Sequence, residues 1–206
     1  MTVLNREILK NLYIKNGKSA TEIGFALDCS TSKINYWLTK YKIEKRSISD
    51  AVYRRLNPGG DPFKINKPVN PNDLILFGMG LGLYWGEGTK ADIHSVRLGN
   101  SDPYLIKTFI LFLDKIYGVK KDKLKFGLQI FSNMKQDDCL KYWCDKLGVN
   151  KNQFYKIMIK PSVKKGTYTK RKIEGVITIY YNNVRLRNEI NDTLKKTTEK
   201  INIVKQ

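Results

Sequence analysis

Glu87 is the residue of this 206-residue chain whose placement most clearly points to chemistry. It closes an apolar segment, and residues 73–88 read DLILFGMGLGLYWGEG. The segment predicts a helix, and a carboxylate at a helix C-terminus faces the negative end of the helix dipole. That position attracts cations rather than carboxylates, so an acid there makes sense if it binds a metal ion.

The glycines Gly78, Gly82 and Gly86 lie four residues apart in the same segment. On a helix they share one face, and each interior glycine costs up to about 1 kcal/mol relative to alanine. A contact must offset that loss, and a stripe without side chains lets another backbone approach closely. The spacing therefore predicts a helix-on-helix contact, and we expect a homodimer formed through these three glycines.

Residues 80–88, GLGLYWGEG, resemble the LAGLIDADG motif of homing endonucleases. Gly82 and Leu83 match its central Gly-Leu. Glu87 matches its acid, and Gly88 matches its final glycine. The resemblance implies that two such helices pack side by side and that each delivers one acid to a shared divalent-metal centre. It also implies an antiparallel sheet that straddles duplex DNA.

Two functions follow from this resemblance, and the sequence leaves both open. The first is an endonuclease, dependent on Mg²⁺ or Mn²⁺, that cuts both strands of duplex DNA as a homodimer, with Lys160 or Lys172 as the assisting lysine. The second is a DNA-binding transcription regulator that keeps the fold without the chemistry. Retention of Glu87 favours the enzyme, although Trp85 replaces the earlier acid of the motif. Three features favour the regulator: no single lysine stands out as the assisting one, the sequence shows no second obvious acid for the site, and a strand is missing after the motif.

The charge of the chain points to a polyanionic partner. It has 38 Lys and Arg residues against 19 Asp and Glu, a formal net charge of +19, and double-stranded DNA is the first candidate. A ribosomal or RNA-packaging protein would explain the same charge but would not need the glycine stripe. No apolar run approaches the ~18 residues that span a bilayer, so we expect no membrane partner.

Cysteine and histidine usage excludes several other classes. Cys29, Cys139 and Cys144 are an odd number without C-x-x-C spacing, and His94 is the single histidine. Neither a disulfide framework nor a zinc site fits this pattern. His94 alone would also have to carry the proton transfer of a Ser/His/Asp mechanism. We expect a reduced, cytoplasmic protein.

The N-terminal residues predict helices that could position a further DNA contact. Ser19 and Glu22 form an S-x-x-E capping box that starts one helix, and residues 28–30 separate it from the next. The run from Ser19 to Ile43 resembles helix-turn-helix DNA-binding domains, with Cys29 near the turn position where many members have glycine. A small helical bundle with a solvated polar face is the alternative. The resemblance implies that the third helix offers these side chains to a major groove: Thr31, Ser32, Lys33, Asn35, Tyr36 and Lys40.

Prolines mark the boundary between the two parts of the chain. Residues 57–71 hold four of the six prolines and two adjacent glycines, which block helix and central strand alike. We expect a helix-turn-helix domain over 1–56, a linker over 57–72 and a LAGLIDADG-like domain over 73–206. The predicted fold class is α+β, with an all-α first domain and an α/β second domain built on an antiparallel sheet.

The second domain predicts helices and strands in alternation. Only one strand is clear between the motif and residue 103, so Thr89–Ser95 is either a very short strand or a loop. The expected elements are a strand over 96–102, a helix from Pro103 capped by Asp102, a strand over 124–131, a helix over 138–148, strands over 154–160 and 175–181 that pair with each other, and a closing helix over 183–202.

Two basic segments predict contacts with phosphate groups. Residues 160–172, between the last two predicted strands, contain no acid and form a basic hairpin loop in this interpretation. Arg46 lies in the basic run that follows the third helix. Both suit phosphate binding on a DNA-facing surface, and a solvated charge run is the alternative. The predicted phosphate ligands of the loop are Lys164, Lys165, Lys170 and Arg171.

Overall fold

Helices build the N-terminal part of the protein, and a sheet forms only beyond residue 95. The computed structural model describes residues 3–162 and 174–203. Over these residues the protein has eight α-helices and one four-stranded, mostly antiparallel sheet, so the predicted α+β class is confirmed. The chain forms two units, Met1–Pro62 and Phe63–Gln206, and the boundary between them falls inside the proline-rich segment 57–72.

The first unit is helical throughout. Its helices are α1 (Arg6–Lys10), which continues as a π-helical turn (Asn11–Lys15), α2 (Ala20–Ala26), α3 (Thr31–Lys40) and α4 (Ile48–Leu56). Apolar residues at helical spacing build one small core. Its buried members are Leu9, Tyr13, Ile23, Ile34, Trp37, Leu38 and Ile43.

The start of α2 and the turn after it follow from local sequence. Ser19 Oγ accepts a hydrogen bond from the Glu22 N–H at 3.1 Å, and the Glu22 carboxylate accepts from the Ser19 N–H at 2.7 Å, which confirms the predicted capping box. The second bond holds the pKa of Glu22 below its usual range. Gly24 lets the turn close, because a Cβ there would lie 2.6 Å from the Cys29 carbonyl oxygen. The positive φ of the turn, 47°, falls on Asp28 rather than on Cys29, and aspartate tolerates it.

The second unit alternates helices with the strands of the sheet. In chain order its elements are α5 (Pro71–Glu87), β1 (Val96–Asn100), α6 (Pro103–Tyr117), β2 (Lys125–Phe131), α7 (Gln136–Leu147), β3 (Met158–Lys160), β4 (Val176–Tyr181) and α8 (Val184–Ile203). The predicted cap of α6 is present, since Asp102 accepts from the Tyr104 N–H at 2.8 Å. Gly148 ends α7 in the left-handed conformation, with φ at 59°.

The strand order in the sheet is β1-β4-β2-β3. β4 runs antiparallel to β1 and β2, whereas β3 runs parallel to β2. The predicted pairing of strands 154–160 and 175–181 is therefore wrong, because β2 lies between them. Burial gives the reason: β4 contributes buried residues to the core face and lies inside the sheet, whereas all three residues of β3 are exposed and suit a sheet edge.

This strand order also contradicts the predicted hairpin loop. The strands on either side of residues 160–172, β3 and β4, are not neighbours in the sheet, because β2 lies between them. Lys160 is the exposed last residue of β3. The other basic residues predicted in this loop lie outside the described residues: Lys164, Lys165, Lys170, Arg171 and Lys172.

One face of the sheet carries the core of the second unit. α5 and α6 pack together on it, and the Tyr84 ring stacks with its centroid 6.1 Å from that of Phe109. The buried strand residues are Val96, Leu98, Phe126, Leu128, Ile130, Ile177, Ile179 and Tyr181.

Thr89–Ser95 is a loop, since the only pairing before β1 in the described chain is a single bridge between Gly88 and Leu98.

No helix within the described residues is both long enough and apolar enough to cross a membrane.

Candidate functional site

The side of α5 that faces away from the core is open and apolar. A Cβ built on Gly78, Gly82 or Gly86 would meet no atom of the described residues within 4 Å. The structure thus brings the three predicted glycines to one uncovered surface, and apolar surface of this kind marks contact sites. Large apolar side chains of the same helix are exposed as well: Leu74, Ile75, Met79 and Trp85.

Glu87 is the last residue of this helix. Its carboxylate is exposed and accepts no hydrogen bond from the described part of the chain. Lys90 lies nearby: its Nζ donates to the Trp85 carbonyl oxygen and stands 5.6 Å from the centroid of the Tyr84 ring. Partial burial lowers the pKa of Lys90, and the charge of Glu87 acts in the opposite direction. The end of α5 therefore combines an exposed acid with a lysine fixed on the helix.

A single Glu87 carboxylate supplies part of the predicted metal site. Across residues 3–162 and 174–203, no three His, Cys, Asp or Glu side chains lie close enough together to hold a metal ion. An exposed carboxylate does suit Mg²⁺ or Mn²⁺, which prefer oxygen ligands, and Mg²⁺ usually keeps several of its water molecules. Glu87 therefore fits such an ion as one ligand, and the described residues around it do not complete a site.

The structure does not bring Lys160 close to Glu87. Gly88 bridges to Leu98 of β1, so Glu87 lies at the β1 edge of the sheet. Lys160 ends β3 at the opposite edge, and Gly88 lies on the outer side of β1, since the other side of Leu98 pairs with β4. The two segments are therefore four strand spacings, or roughly 19 Å, apart across the sheet. The lysine that lies near Glu87 is Lys90, whose Nζ donates to the carbonyl oxygen of Trp85.

Arg187 of α8 fixes the loop that follows α5. Its Nη2 donates to the Lys90 carbonyl oxygen at 2.8 Å, and its Nε donates to the Asp92 carbonyl oxygen at 3.2 Å. Inside the loop, the Asp92 carboxylate accepts from the His94 N–H at 2.7 Å and from the Ser95 N–H at 3.2 Å. The bond from His94 is the main cause of the lowered pKa of Asp92. The sequence left Thr89–Ser95 open between a very short strand and a loop, and it did not identify the turn at Asp92 or its anchor Arg187, although an Asp followed by polar loop residues is typical of an Asx turn.

The second face of the sheet carries the strand residues that alternate with the buried core residues along each strand. They are partly exposed, and the Arg97 guanidinium lies over the Tyr180 ring, 4.9 Å from its centroid. Polar and cationic groups on such a face can donate to phosphates and to base edges. Two rows of residues lie in register across β1, β4 and β2 on this face. The first row is Arg97, Tyr180 and Lys125, and the second row is Gly99, Thr178 and Gly127.

The predicted DNA-contacting residues of α3 lie outside its core side. That core side consists of Ile34, Trp37 and Leu38, which are buried. The Lys40 ammonium lies 4.6 Å from the Trp37 ring, so its position is set by the aromatic surface. The remaining side of the helix is available to a ligand. It consists of exposed or partly exposed residues: Thr31, Ser32, Lys33, Asn35, Tyr36 and Lys40.

Arg46 has a structural environment that its sequence context does not reveal. Its guanidinium donates to the backbone carbonyls of Tyr13 and Gly17, each at 2.8 Å, and to that of Lys18. It also lies 4.2 Å from the Tyr13 ring centroid. These bonds satisfy carbonyl groups where the π-helical turn ends. A phosphate contact by Arg46 would have to compete with them.

The chain matches no family model, no curated protein and no solved structure. The resemblances to LAGLIDADG endonucleases and to helix-turn-helix domains therefore rest on residues 80–88 and 19–43. The function has to be argued from the surfaces of α3, α5 and the sheet.

Proposed function

We propose that the protein is a homodimeric, metal-dependent endonuclease that binds and cuts duplex DNA. The observation that carries this proposal is the open side of α5, where a glycine stripe and exposed apolar side chains lead to the exposed carboxylate of Glu87. Apolar burial drives most protein association, and two stripes without side chains are complementary in shape. A dimer formed along α5 would bring two Glu87 carboxylates to one interface.

The groups at the end of α5 would have separate tasks. Two Glu87 carboxylates would hold the divalent ion, which when bound activates water and stabilises charge on the scissile phosphate. Lys90, whose Nζ is fixed on the end of α5, would place a positive charge beside that phosphate. Two acids at one interface repel each other, so each subunit gains from a cation between them.

Two surfaces would contact the DNA. The sheet face with Arg97, Tyr180 and Lys125 belongs to the same unit as Glu87, so contacts there would fix the duplex relative to the metal. α3 of the first unit would enter a major groove in the manner of helix-turn-helix proteins. The net charge of +19 would supply affinity for phosphates of any sequence.

A DNA-binding transcription regulator with the same surfaces is the second candidate. The observation that favours it is the position of Lys160, at the sheet edge remote from Glu87. A regulator requires the dimer and the DNA contacts but no metal. In that case Glu87 would serve only solubility or the dimer contact.

Incubation of the purified protein with a pool of random-sequence duplexes and Mg²⁺ or Mn²⁺ separates the two candidates. We expect the wild type to cut both strands and Glu87→Gln to cut neither, because glutamine keeps the size of the side chain but removes the charge that holds the cation. Duplex affinity of this variant should be unchanged or slightly tighter. Glu199→Gln, which changes an exposed acid on α8, is the matched control and should cut like the wild type.

Each other outcome has a definite meaning. Specific duplex binding by the wild type without cleavage in either metal would replace the endonuclease with the regulator. If Glu87→Gln instead loses dimerisation and duplex binding together, the acid has a structural role.

A deletion tests the contribution of the first unit. Removal of residues 1–56 should weaken duplex binding and shorten the nuclease-protection footprint while the dimer persists, because α5 lies in the other unit. The affinity of the full chain should also fall steeply with salt concentration. Equal footprints for the two proteins would exclude the first unit from DNA contact.

A further inference from the structure

Arg97 is held in place from three sides. Its Nε donates to Ser95 Oγ at 2.8 Å, its Nη2 forms an ion pair with Asp92, and its guanidinium lies 4.9 Å from the centroid of the Tyr180 ring. The Ser95 hydroxyl donates in turn to Asp92 at 3.3 Å. Arg187 anchors the same loop through the Asp92 carbonyl oxygen. A long side chain that usually loses much rotamer freedom on binding is therefore already ordered.

The groups that hold Arg97 are buried or partly buried, whereas Arg97 reaches the surface. Ser95 is 1% exposed, and the exposed fraction of the side chain is 11% for Asp92 but 38% for Arg97. The Tyr180 ring is supported as well, because the Tyr155 ring packs edge-on against it with centroids 5.3 Å apart. The outer end of the guanidinium is thus presented to the sheet surface on a rigid support.

The donors that Arg97 keeps available have the geometry of base recognition. A guanidinium carries five N–H donors in one plane. Contacts with the described residues use Nε and one N–H of Nη2. The two donors on Nη1 and the second donor on Nη2 form no hydrogen bond with the described residues. Two such parallel donors match the O6 and N7 acceptors that guanine presents in the major groove.

We propose that Arg97 reads a guanine in duplex DNA bound to the second face of the sheet. The inference rests on the proposed duplex binding and names the base. A phosphate contact explains the arrangement less well, because Asp92 neutralises the guanidinium charge and removes most of the long-range attraction to a phosphate. A base edge instead requires fixed donor directions, which the contacts of Arg97 provide. In a homodimer the guanine recurs at two symmetry-related positions of the target.

Selection from duplexes with a fully randomised central segment tests the assignment. The full-length wild type should enrich a palindromic sequence with guanine at one position of each half-site. Arg97→Ala and Arg97→Lys should both lower the preference for that guanine by roughly 10- to 100-fold while the other enriched positions persist. Lysine keeps the charge beside Asp92 but lacks the planar fork, so this variant separates base reading from charge.

Two further variants sharpen the test. Lys125→Ala removes the cation in register with Arg97 across β4. It should weaken binding to all sequences alike and reduce the salt dependence. Asp92→Asn keeps an acceptor for the loop N–H groups but weakens the hold on Arg97. It should raise the affinity for every duplex, because a negative charge is lost, and reduce the guanine preference.

The outcomes distinguish this inference from the proposed function. If Arg97→Ala enriches the same guanine as the wild type, or loses affinity uniformly for all sequences, the assignment is overturned and duplex binding stands. A wild type that enriches no sequence overturns specific duplex binding and the assignment with it. Circular dichroism and thermal unfolding identify any variant that fails to fold, and Arg97→Lys then decides in place of Arg97→Ala.

Discussion

Gly80 and Gly82 lie two residues apart on α5 and have opposite surroundings. A Cβ on Gly80 would lie 2.7 Å from the Phe112 Cβ and overlap its ring, whereas a Cβ on Gly82 would meet no atom of the described residues within 4 Å. Each glycine costs the helix up to about 1 kcal/mol relative to alanine. Close packing against Phe112 explains why position 80 is a glycine. The described residues contain no contact that explains the glycine at position 82, so we infer that the second subunit of the proposed dimer packs there.

The largest expected effect is the loss of the dimer in Gly82→Leu. The leucine side chain would occupy the space where the two backbones are to meet, so association should weaken by at least about 100-fold, or about 3 kcal/mol. The monomer should stay folded, because the added Cβ has open space in the described structure. Sedimentation velocity measures the mass, and circular dichroism checks the fold.

Gly59→Leu is the matched control for this dimer test. Gly59 also has nothing within 4 Å of a built Cβ among the described residues, but it lies in the proline-rich segment, so this variant should remain a dimer. A wild type that sediments as a monomer both alone and on duplex DNA would contradict the proposed role of Gly82.

The sequence predicted the local features of α5 because they depend on neighbours in the chain. The apolar run predicted the helix, and the four-residue spacing predicted that Gly78, Gly82 and Gly86 lie on one side of it. The capping box of Ser19 and Glu22 was predictable for the same reason. The partner of Gly80 was not, because Phe112 belongs to another helix and only tertiary packing brings it there.

Errors arose where distant segments compete for the same place. The two strands after α7 look like a hairpin in sequence, yet β4 pairs with β1 and β2, and β3 is left at the edge. Arg46 belongs to a basic run typical of phosphate contacts, yet its guanidinium binds carbonyls of Tyr13, Gly17 and Lys18. The row of Arg97 and Tyr180 required the strand register, which sequence alone does not supply.

Gly80→Ala should give the largest loss of stability on the core side of α5. Its methyl group would overlap the Phe112 ring, and overpacking of this kind costs up to about 3 kcal/mol. Urea unfolding, measured in the Gly82→Leu background so that dimerisation does not contribute, gives the change in the free energy of unfolding. Unchanged or increased stability would show that Phe112 moves aside at no cost, and the contrast between Gly80 and Gly82 would lose its basis.

Alkaline pH should weaken the same core side through Tyr117, whose ring packs edge-on against Phe112. Burial raises the pKa of Tyr117 from 10.0 to about 12. The unfolded chain therefore loses this proton first, so the stabilisation is complete below pH 10 and is lost as the pH rises towards 12. The loss is at most about 2.7 kcal/mol. Urea unfolding as a function of pH should show a shallower decline for Tyr117→Phe than for the wild type, and parallel declines would contradict this.

The smallest effect, and the one with the opposite sign, is expected for Gly78→Ala on the outer side of α5. Alanine reduces the backbone entropy lost on folding and meets no described atom there, so the monomer should gain about 0.5–1 kcal/mol. The measurement again uses urea unfolding in the Gly82→Leu background, where Gly80→Ala provides the matched alanine on the core side. A gain at Gly78 together with a loss at Gly80 would show that the helix tolerates a side chain outside but not inside. A loss at both positions would mean that Gly78 packs against the chain itself, and the argument that a second subunit explains the stripe would fail.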